Sequence, residues 1–396
     1  MKNKLKFVKF KDLLSIFLMC IAFVPAMIAK IFIRDFWLVC EDKNEARDNG
    51  YWLFKYIREN HPKQKVAYAI NKKAPDYKKV KDLGKVISFG SLSHWFWYFV
   101  ADKNISSQKG GKPNAAVCYL LEVVMKLRKN NRVFLQHGII ISDIEFLYFK
   151  NTNMKRFCVS TYQEEKYLKE HYGYPEGNIV LTGLCRFDNL NNAVANKNQI
   201  LVMPTWRQWI ARDVEMQEIE GTTNFIESNY FKHWQEFLRN EEVYKLLEKY
   251  NKKLIFYPHR NMQKYLTNFD TKSDRIIIAN SKDYDVQELL KNSALMITDY
   301  SSVFFDFAYM KKPIIFYQFD EKKFREYQYQ EGYFSYKDNG FSKWSDNLES
   351  IIDYLKEYLE SDLELEDKTI VDKYFPYRDN KNCERTYDMI KCINKK

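Results

Sequence analysis

The 396-residue sequence predicts an α/β protein with two parallel-sheet domains behind a basic, apolar N-terminal segment. Three observations carry this. The length favours two domains, each with enough chain for its own core. From residue 36 onward, short apolar runs that end in polar turn residues alternate with helically spaced stretches, the rhythm of strands joined by crossover helices. Residues 292–317 read as one complete strand–turn–helix–strand unit.

Composition narrows the function classes. Hydrophobic content of 46% and charged content of 29% are those of a folded protein rather than a disordered one. A net charge of +11 calls for an anionic partner: nucleic acid, anionic lipid or a phosphorylated substrate. A nucleic-acid binder is disfavoured, because the basic residues are dispersed and the aromatics mostly sit at core spacing. The seven cysteines are scattered without the Cys/Cys or Cys/His spacing of a zinc site, so reduced thiols and no metal centre are expected.

Residues 1–34 form the N-terminal segment. Lys2, Lys4, Lys6, Lys9 and Lys11 precede an apolar run over 13–29 that contains Ser15 and Pro25 and is followed by Lys30 and Arg34. The run is marginal against the about 20 apolar residues of a transmembrane helix, and 22–26 is a poor signal-peptide cleavage site. With basic residues on both flanks it predicts a helix or re-entrant hairpin in the cytoplasmic leaflet, lysines on anionic headgroups. A buried helix of the first domain is the alternative.

In the first domain, 35–195, strands are expected at 36–40, 66–70 and 86–89, with an amphipathic helix over 47–60. Residues 106–112 (Ser-Ser-Gln-Lys-Gly-Gly-Lys) lack P-loop spacing and read as a flexible connection or rim; 116–126 is helical. A strand at 132–135 runs into Gln136-His137-Gly138, where the glycine permits a tight turn. A strand at 157–160 leads to a helix opened by Thr161, and one at 178–181 runs into Thr182-Gly183-Leu184-Cys185-Arg186-Phe187-Asp188.

The Asn-rich stretch 189–199 marks the boundary to the second domain, 196–396. Its strands at 200–203 and 254–257 end in Pro204-Thr205-Trp206-Arg207 and Pro258-His259-Arg260; a strand at 275–279 precedes a helix near 286–290. Asp283-Tyr284-Asp285 has the form used by metal-dependent sugar transferases, but Asp285 with Glu288 fits a capping box opening that helix, the preferred reading. The helical, charged chain from 348 is expected to end by packing back across the domains.

The central unit comprises a buried strand at 294–297, the polar cluster Thr298, Asp299, Tyr300, Ser301 and Ser302, and a helix with Val303, Phe304, Phe307, Ala308 and Met310 at helical spacing. Lys311, Lys312 and Pro313 close that helix before a strand at 314–317. One serine could serve only as an N-cap. Three hydroxyls, an acid and a tyrosine in five positions point instead to a phosphate site at the helix start.

His137, Thr182, Arg186, Thr205, Arg207, His259, Thr298 and Ser301 each fall just past a predicted strand end, where open α/β sheets bind ligands. Two sheets facing each other would direct them at one cleft. Each has a plainer role: a hydrogen-bonded structural histidine, Arg207 stacked on Trp206 or paired with an acid rather than on phosphate, Arg186 and Asp188 as a local ion pair. No Gly-x-Ser-x-Gly supports a hydrolase.

Taken in order, Gln136-His137-Gly138, the 182–188 motif, Pro204-Thr205-Trp206-Arg207, Pro258-His259, and Thr298-Asp299-Tyr300-Ser301-Ser302 with Phe305-Asp306 resemble the motifs of the CDP-glycerol glycerophosphotransferase family, which includes teichoic-acid primases and polymerases. Residues 316–320 and 329–334 extend the likeness, which spans about 35–370. The chain departs from the pattern at Cys185 and Arg260, where prolines are common, and at Ile139-Ile140-Ile141-Ser142, where many members have Thr-Pro.

The resemblance implies an α/β fold of two Rossmann-like domains facing across a cleft (GT-B-like) with an N-terminal membrane-associating helical segment. It implies metal-independent transfer of glycerol phosphate, or a related polyol phosphate, from CDP-glycerol or a related CDP-polyol to a hydroxyl of a lipid-linked or polymer acceptor. CMP would be released and no cofactor used. The setting would be teichoic acid or capsule synthesis at the cytoplasmic face of a bacterial membrane, with no nucleic acid as partner. His137 and His259 become the catalytic pair, and which of them is the base stays open. Arg207, Thr205, Thr298, Asp299, Ser301 and Ser302 become donor phosphate or nucleotide ligands, with Gly138, Arg186, Asp188 and Asp306 in support. The neighbouring reading is a nucleotide-sugar-dependent glycosyltransferase of the same architecture in cell-surface polysaccharide synthesis.

Overall fold

The computed structural model describes residues 10–127, 131–191, 195–211, 216–365 and 367–393. The chain divides into two units, the first holding residues up to 139, 145–189 and 375 onward, the second 140–144 and 190–374.

In the first unit, α1 (Phe10–Phe32) is a single helix that continues through Pro25, so no re-entrant hairpin forms. Its small and polar face, with Asp12, Ser15, Ala22 and Ala26, is buried against the helix Leu92–Val100 and its surroundings. Polar contacts hold both ends. Asn114 Nδ2 donates to Asp12 Oδ1 (2.8 Å), Trp95 Nε1 to Ser15 Oγ (3.1 Å), and Lys30 Nζ to the carbonyls of Phe99 and Ala101 (both 3.3 Å). The opposite face, with Leu13, Leu14, Phe17, Ile21, Val24, Ile28, Ile31 and Phe32, is exposed, which is not the pattern of a buried core helix. Lys2, Lys4, Lys6, Lys9 and the Lys11 side chain lie outside the described residues.

The sheet of this unit contains β1 (Trp37–Cys40), β2 (Val66–Ile70), β3 (Lys85–Ser88), β4 (Lys103–Ser106) and β5 (Arg132–Phe134). After β6 (Ser142–Asp143), which belongs to the second unit, come β7 (Arg156–Val159) and β8 (Ile179–Leu181). The order is β3-β2-β1-β4-β5-β7-β8, all parallel. Burial of β1 and β2 along their whole length is why both read as unbroken apolar runs. Lys-Asn-Ile-Ser of β4 has no such run, and its position between β1 and β5 makes it a strand.

Two expectations change here. The second domain ends at 374 instead of 396, because residues from 375 onward belong to the first unit, where the C-terminal helix packs back as expected. Asp188 accepts the N–H of Asn382 (2.9 Å) and Cys383 (2.8 Å) and so caps the helix Asn382–Cys392, whose Tyr387 and Ile390 join the core beside Trp37. The 106–112 loop is not a flexible rim either. Ser106 and Ser107 are fully buried, and Gly111 presses so close that a Cβ would lie 2.6 Å from the Cys40 carbonyl.

The second unit contains β9 (Asn196–Val202), which begins inside the Asn-rich stretch, β10 (Lys253–Phe256), β11 (Ile276–Ile278), β12 (Ser293–Thr298) and β13 (Ile314–Tyr317). β14 (Gln330–Glu331) pairs antiparallel with β6, and β15 (Ser342–Ser345) is the last strand. The main sheet runs β11-β10-β9-β12-β13-β15, all parallel. Each unit is thus doubly wound in Rossmann order, reversing between β1 and β4 and between β9 and β12. Such sheets bind ligands at the carboxyl ends of the strands flanking that reversal. In the second unit these ends carry residues 203–207 and 299–302.

Candidate functional site

The turns after β9 and β12 are locked together from beneath. Asp299 is fully buried, and its Oδ1 accepts the N–H of Thr205 (2.8 Å) and Tyr300 (2.7 Å). Thr298, also buried, donates its hydroxyl to the Met203 carbonyl (2.7 Å). Arg207 is 0% exposed. It grips Asp320 through Nε (2.7 Å) and Nη2 (2.9 Å), and its Nη1 makes a charge contact with Asp299 Oδ2 at 2.9 Å that is not aligned as a hydrogen bond. Tyr300 and Phe324, stacked on each other at 3.9 Å, lie against the guanidinium. Burial works against its charge, but Asp320 and Asp299 overcome it and raise the Arg207 pKa above its ordinary value.

This corrects the assignment of Arg207, Asp299 and Thr298 as donor-phosphate ligands. All three side chains are bonded inside the protein, Arg207 to Asp320 and Asp299, Asp299 to the N–H of Thr205 and Tyr300, and Thr298 to the Met203 carbonyl, and a buried carboxylate pair needs its buried cation. They position the turns. Thr205 is nearly buried and held by its N–H on Asp299. Asp306 is fully buried within the helix Phe304–Tyr309.

Ser301 and Ser302 are different. The helix after them has Val303 at its N-cap and no side-chain cap, so neither serine hydroxyl is used for capping. The carbonyls of 301, 302 and 303 accept the N–H of Phe304, Phe305 and Asp306 at 3.0–3.2 Å. Among the described residues, the hydroxyls of Ser301 and Ser302 and the N–H groups of 301–303 have no hydrogen-bond partner, and all three residues are partly exposed. Three successive N–H groups and two hydroxyls are therefore donors available to an anion. The donors are those of the turn, since the helix's first N–H groups are already taken.

His259 follows β10 at the start of the 3-10 helix Arg260–Asn268. Its N–H donates to the Pro204 carbonyl (3.0 Å), its ring lies near-parallel to Trp206, and its Nδ1 accepts the N–H of Asn261 (3.2 Å). A neutral imidazole with Nδ1 as acceptor carries its proton on Nε2.

In the first unit His137 follows β5. The left-handed residue of this turn is Gln136 (φ 64°), one position before the histidine, rather than Gly138. Its side chain is locked by donating to the Cys158 carbonyl (2.6 Å) and to Glu164 Oε1 (2.9 Å). The His137 side chain is 67% exposed, with Nδ1 2.5 Å from Asp48 Oδ2. Asp48 is buried at the N-terminus of α2 (Asn49–Asn60), and its Oδ1 accepts Arg186 Nη1 (3.0 Å). The same Nη1 donates to the His137 carbonyl (2.9 Å). Arg186 therefore turns to Asp48 and Asp188 to the C-terminal helix, in place of the local ion pair between them. Behind Asp48, Glu41 accepts the N–H of Arg47 (3.1 Å), Asp48 (3.3 Å) and Tyr51 (2.7 Å).

Burial opposes the charge on Asp48, but the His137 ring and Arg186 prevail and hold it below the usual carboxylate range. Burial, and then the Asp48 charge, push Glu41 up to about 8 despite its three N–H donors. Asp48 is thus the charged member and Glu41 the protonated one. An ionised Asp48 only accepts, so His137 Nδ1 donates and the ring lone pair is on Nε2.

Sequence reasoning missed Glu41 and Asp48, and met Asp320 only within the 316–320 motif, without its Arg207 partner. Asp48 stands where an N-cap is expected before an amphipathic helix, a signal for its place but not for its partner. The Asp283-Tyr284-Asp285 motif is structural: Asp285 Oδ1 caps its helix by accepting the N–H of Gln287 (2.9 Å) and Glu288 (3.4 Å). Among the described residues no three His, Cys, Asp or Glu are grouped to hold a metal ion.

Residues 33–391 match the family model described as CDP-Glycerol:Poly(glycerophosphate) glycerophosphotransferase. The chain is 33% identical over 368 residues to the minor teichoic acid biosynthesis protein GgaB of Bacillus subtilis, covering 89% of this chain and 39% of that protein. It is 26% identical over 245 residues to the teichoic acid ribitol-phosphate polymerase TarK of Staphylococcus aureus, covering 57% and 43%. The chain thus spans about two fifths of the length of these curated relatives. Among solved structures, the wall teichoic acid polymerase TagF matches with a TM-score of 0.68 at 14% identity, over 97% of this chain and 98% of that one. A UDP-GlcNAc 2-epimerase of Methanocaldococcus jannaschii matches with a TM-score of 0.51 at 14% identity, over 90% and 99%. At these identities the structural likeness shows the fold, which is the GT-B-like α/β class expected.

Proposed function

The chain belongs to the CDP-glycerol:poly(glycerophosphate) glycerophosphotransferase family, and on that premise we propose that it transfers glycerol phosphate, or a related polyol phosphate, from a CDP-activated donor to a hydroxyl of a lipid-linked or polymer acceptor. The observation that carries this reading is the opposite hydrogen bonding of the two histidines. His137 Nδ1 donates to charged Asp48, which puts the lone pair on Nε2, and His259 Nδ1 accepts the Asn261 N–H, which puts the proton on Nε2.

His137 Nε2 takes the proton of the acceptor hydroxyl, the role of a histidine general base. The hydroxyl oxygen attacks the phosphorus bearing glycerol. That P–O bond forms as the bond from the same phosphorus to the bridging oxygen breaks, and CMP leaves with the electron pair. His259 Nε2–H, the Ser301 and Ser302 hydroxyls and the N–H groups of 301–303 stabilise charge developing on the diphosphate. Arg207, Asp299, Thr298 and Thr205 hold that turn in shape, and Arg186 holds Asp48. Gly138 gives the His137 turn a small neighbour, while Asp188 and Asp306 act only through the packing of their units. The reading calls on no metal or cofactor, and the rate is expected to survive a chelator.

We place the chain at the cytoplasmic face of the membrane with α1 lying in the interface. In support, α1 is long and apolar enough to cross a membrane, yet polar contacts near both ends fasten it to its own unit while its apolar face stays exposed.

The test is CMP release from CDP-glycerol with membrane extract as acceptor, with and without chelator, in wild type, His137→Ala and His259→Ala. Loss of ~10²–10⁴-fold in folded His137→Ala is expected. A wild type that releases CMP from neither CDP-glycerol nor CDP-ribitol overturns the function. Undiminished release in both variants overturns the residue roles.

A further inference from the structure

We propose that the first unit carries a second anion site, a pocket beside the 106–112 loop that takes a phosphate ester of headgroup size. The cavity, of about 230 Å³, is lined by Lys109, Lys112, Tyr119, Asn151, Thr152 and Met154 among others. Pockets that enclose drug-sized ligands run to ~300–1,000 Å³, so a small anion fits here and a whole nucleotide does not.

Charge selects the ligand. Lys109 feels the charges of Lys112 and the fully buried Arg132, and Glu122 acts on Lys112 and Arg132 but not on Lys109. Lys112 Nζ lies 2.6 Å from Glu122 Oε2, and the Tyr98 hydroxyl donates to Oε1. Of the two lysines that line the cavity, Lys112 is paired with Glu122, while Lys109 has no carboxylate partner among the described residues, so its charge is left to be matched in a site largely removed from water. Lys109 feels this directly. Burial, then Lys112 and Arg132, push it down to about 8, and no acid acts on it in return.

Donors are available for the anion. An ammonium has three N–H groups; Lys109 uses one on the Phe146 carbonyl (2.7 Å) and Lys112 one on Glu122. Tyr119 also has a hydroxyl with no protein partner among the described residues. The segment that carries Glu122 and the pocket residue Val123 is a π-helical turn, Leu120–Val124, a distortion frequent at functional sites. Gly110, at the loop tip, faces open space.

Binding at this pocket stands independently of the transfer reading. In a chain that lengthens polyol phosphates the ester would be one already present in the acceptor, and that clause alone rests on the proposed function.

The experiment measures binding directly on the full chain in detergent, by calorimetry with glycerol 3-phosphate and by flotation with phosphatidylglycerol against phosphatidylcholine vesicles. The variants are Lys109→Gln and Tyr119→Phe, which leave the Lys112–Glu122 pair intact, with Ser301→Ala as a control for the donor turn. Lys109→Gln is expected to weaken binding ~10-fold or more and Tyr119→Phe by a few-fold, whereas a loss confined to Ser301→Ala would put the ester at the donor turn and overturn the site. Loss in the calorimetric arm identifies a soluble ester, and loss in the vesicle arm a lipid headgroup. Wild-type affinity retained by Lys109→Gln in both arms, or no wild-type binding in either, overturns the site. Absent CMP release with glycerol 3-phosphate binding intact would count against the proposed function and leave this site standing.

Discussion

Asp48→Asn exchanges one carboxylate oxygen for an NH₂ group and should relocate one proton. Arg186 Nη1 sits 3.0 Å from Asp48 Oδ1 and needs an acceptor there, so the carboxamide oxygen of the variant turns to Arg186. Its NH₂ then faces His137 Nδ1, which now has to accept, and the ring proton moves to Nε2, the atom that must be bare to act as base. Losing a general base costs ~10²–10⁴ in rate, or about 3–5 kcal/mol of barrier at ~1.36 kcal/mol per decade. Stability should fall as well. Breaking a buried ion pair by removing one partner costs about 3–5 kcal/mol, and the retained carboxamide acceptor keeps the loss at the low end of that range. The assay pairs CMP release at saturating donor with ¹⁵N-histidine NMR, which reports the protonated ring nitrogen. A folded variant that turns over within threefold of wild type, or a His137 ring still protonated at Nδ1, refutes the reasoning.

Arg207→Met leaves Asp299 and Asp320 buried without their cation and should cost about 3–5 kcal/mol, read as a lower urea midpoint; adding Asp320→Asn should recover part of it, and a single variant as stable as wild type contradicts the clamp. Ser301→Ala and Ser302→Ala, which remove hydroxyls without protein partners, should raise the donor KM ~10-fold with an unchanged melt, whereas Thr298→Val should cost about 1 kcal/mol of stability and leave KM alone. The reverse pattern would move the ligand contacts off the serines. Glu41 keeps its proton in the folded protein up to about pH 8, against 4.5 in the unfolded chain. The unfolded state therefore binds fewer protons across that window, and stability falls as pH rises through it. Glu41→Gln should flatten this slope in urea titrations between pH 5 and 8; an unchanged slope would show that Glu41 ionises normally.

The sequence by itself determined what local chemistry determines. β2 and β13 were legible because a strand buried on both faces must be apolar throughout, and Asp285 because a cap acts on its own helix. His137, His259 and Ser301–Ser302 could be placed at strand ends by spacing alone. Lys-Asn-Ile-Ser of β4 and Ser-Lys-Trp-Ser of β15 could not, since their neighbours in the sheet make them strands. Arg207 is the sharpest case. Next to Thr205 and Trp206 a guanidinium reads as a phosphate ligand, and only the tertiary structure brings Asp320, 113 residues away, to claim it. The two imidazoles follow the same rule. Which nitrogen holds the proton is set by Asp48, 89 residues before His137, and by a backbone N–H two residues after His259. A proton's location depends on the field and partners at one point in space, and chain segments far apart in sequence supply most of them.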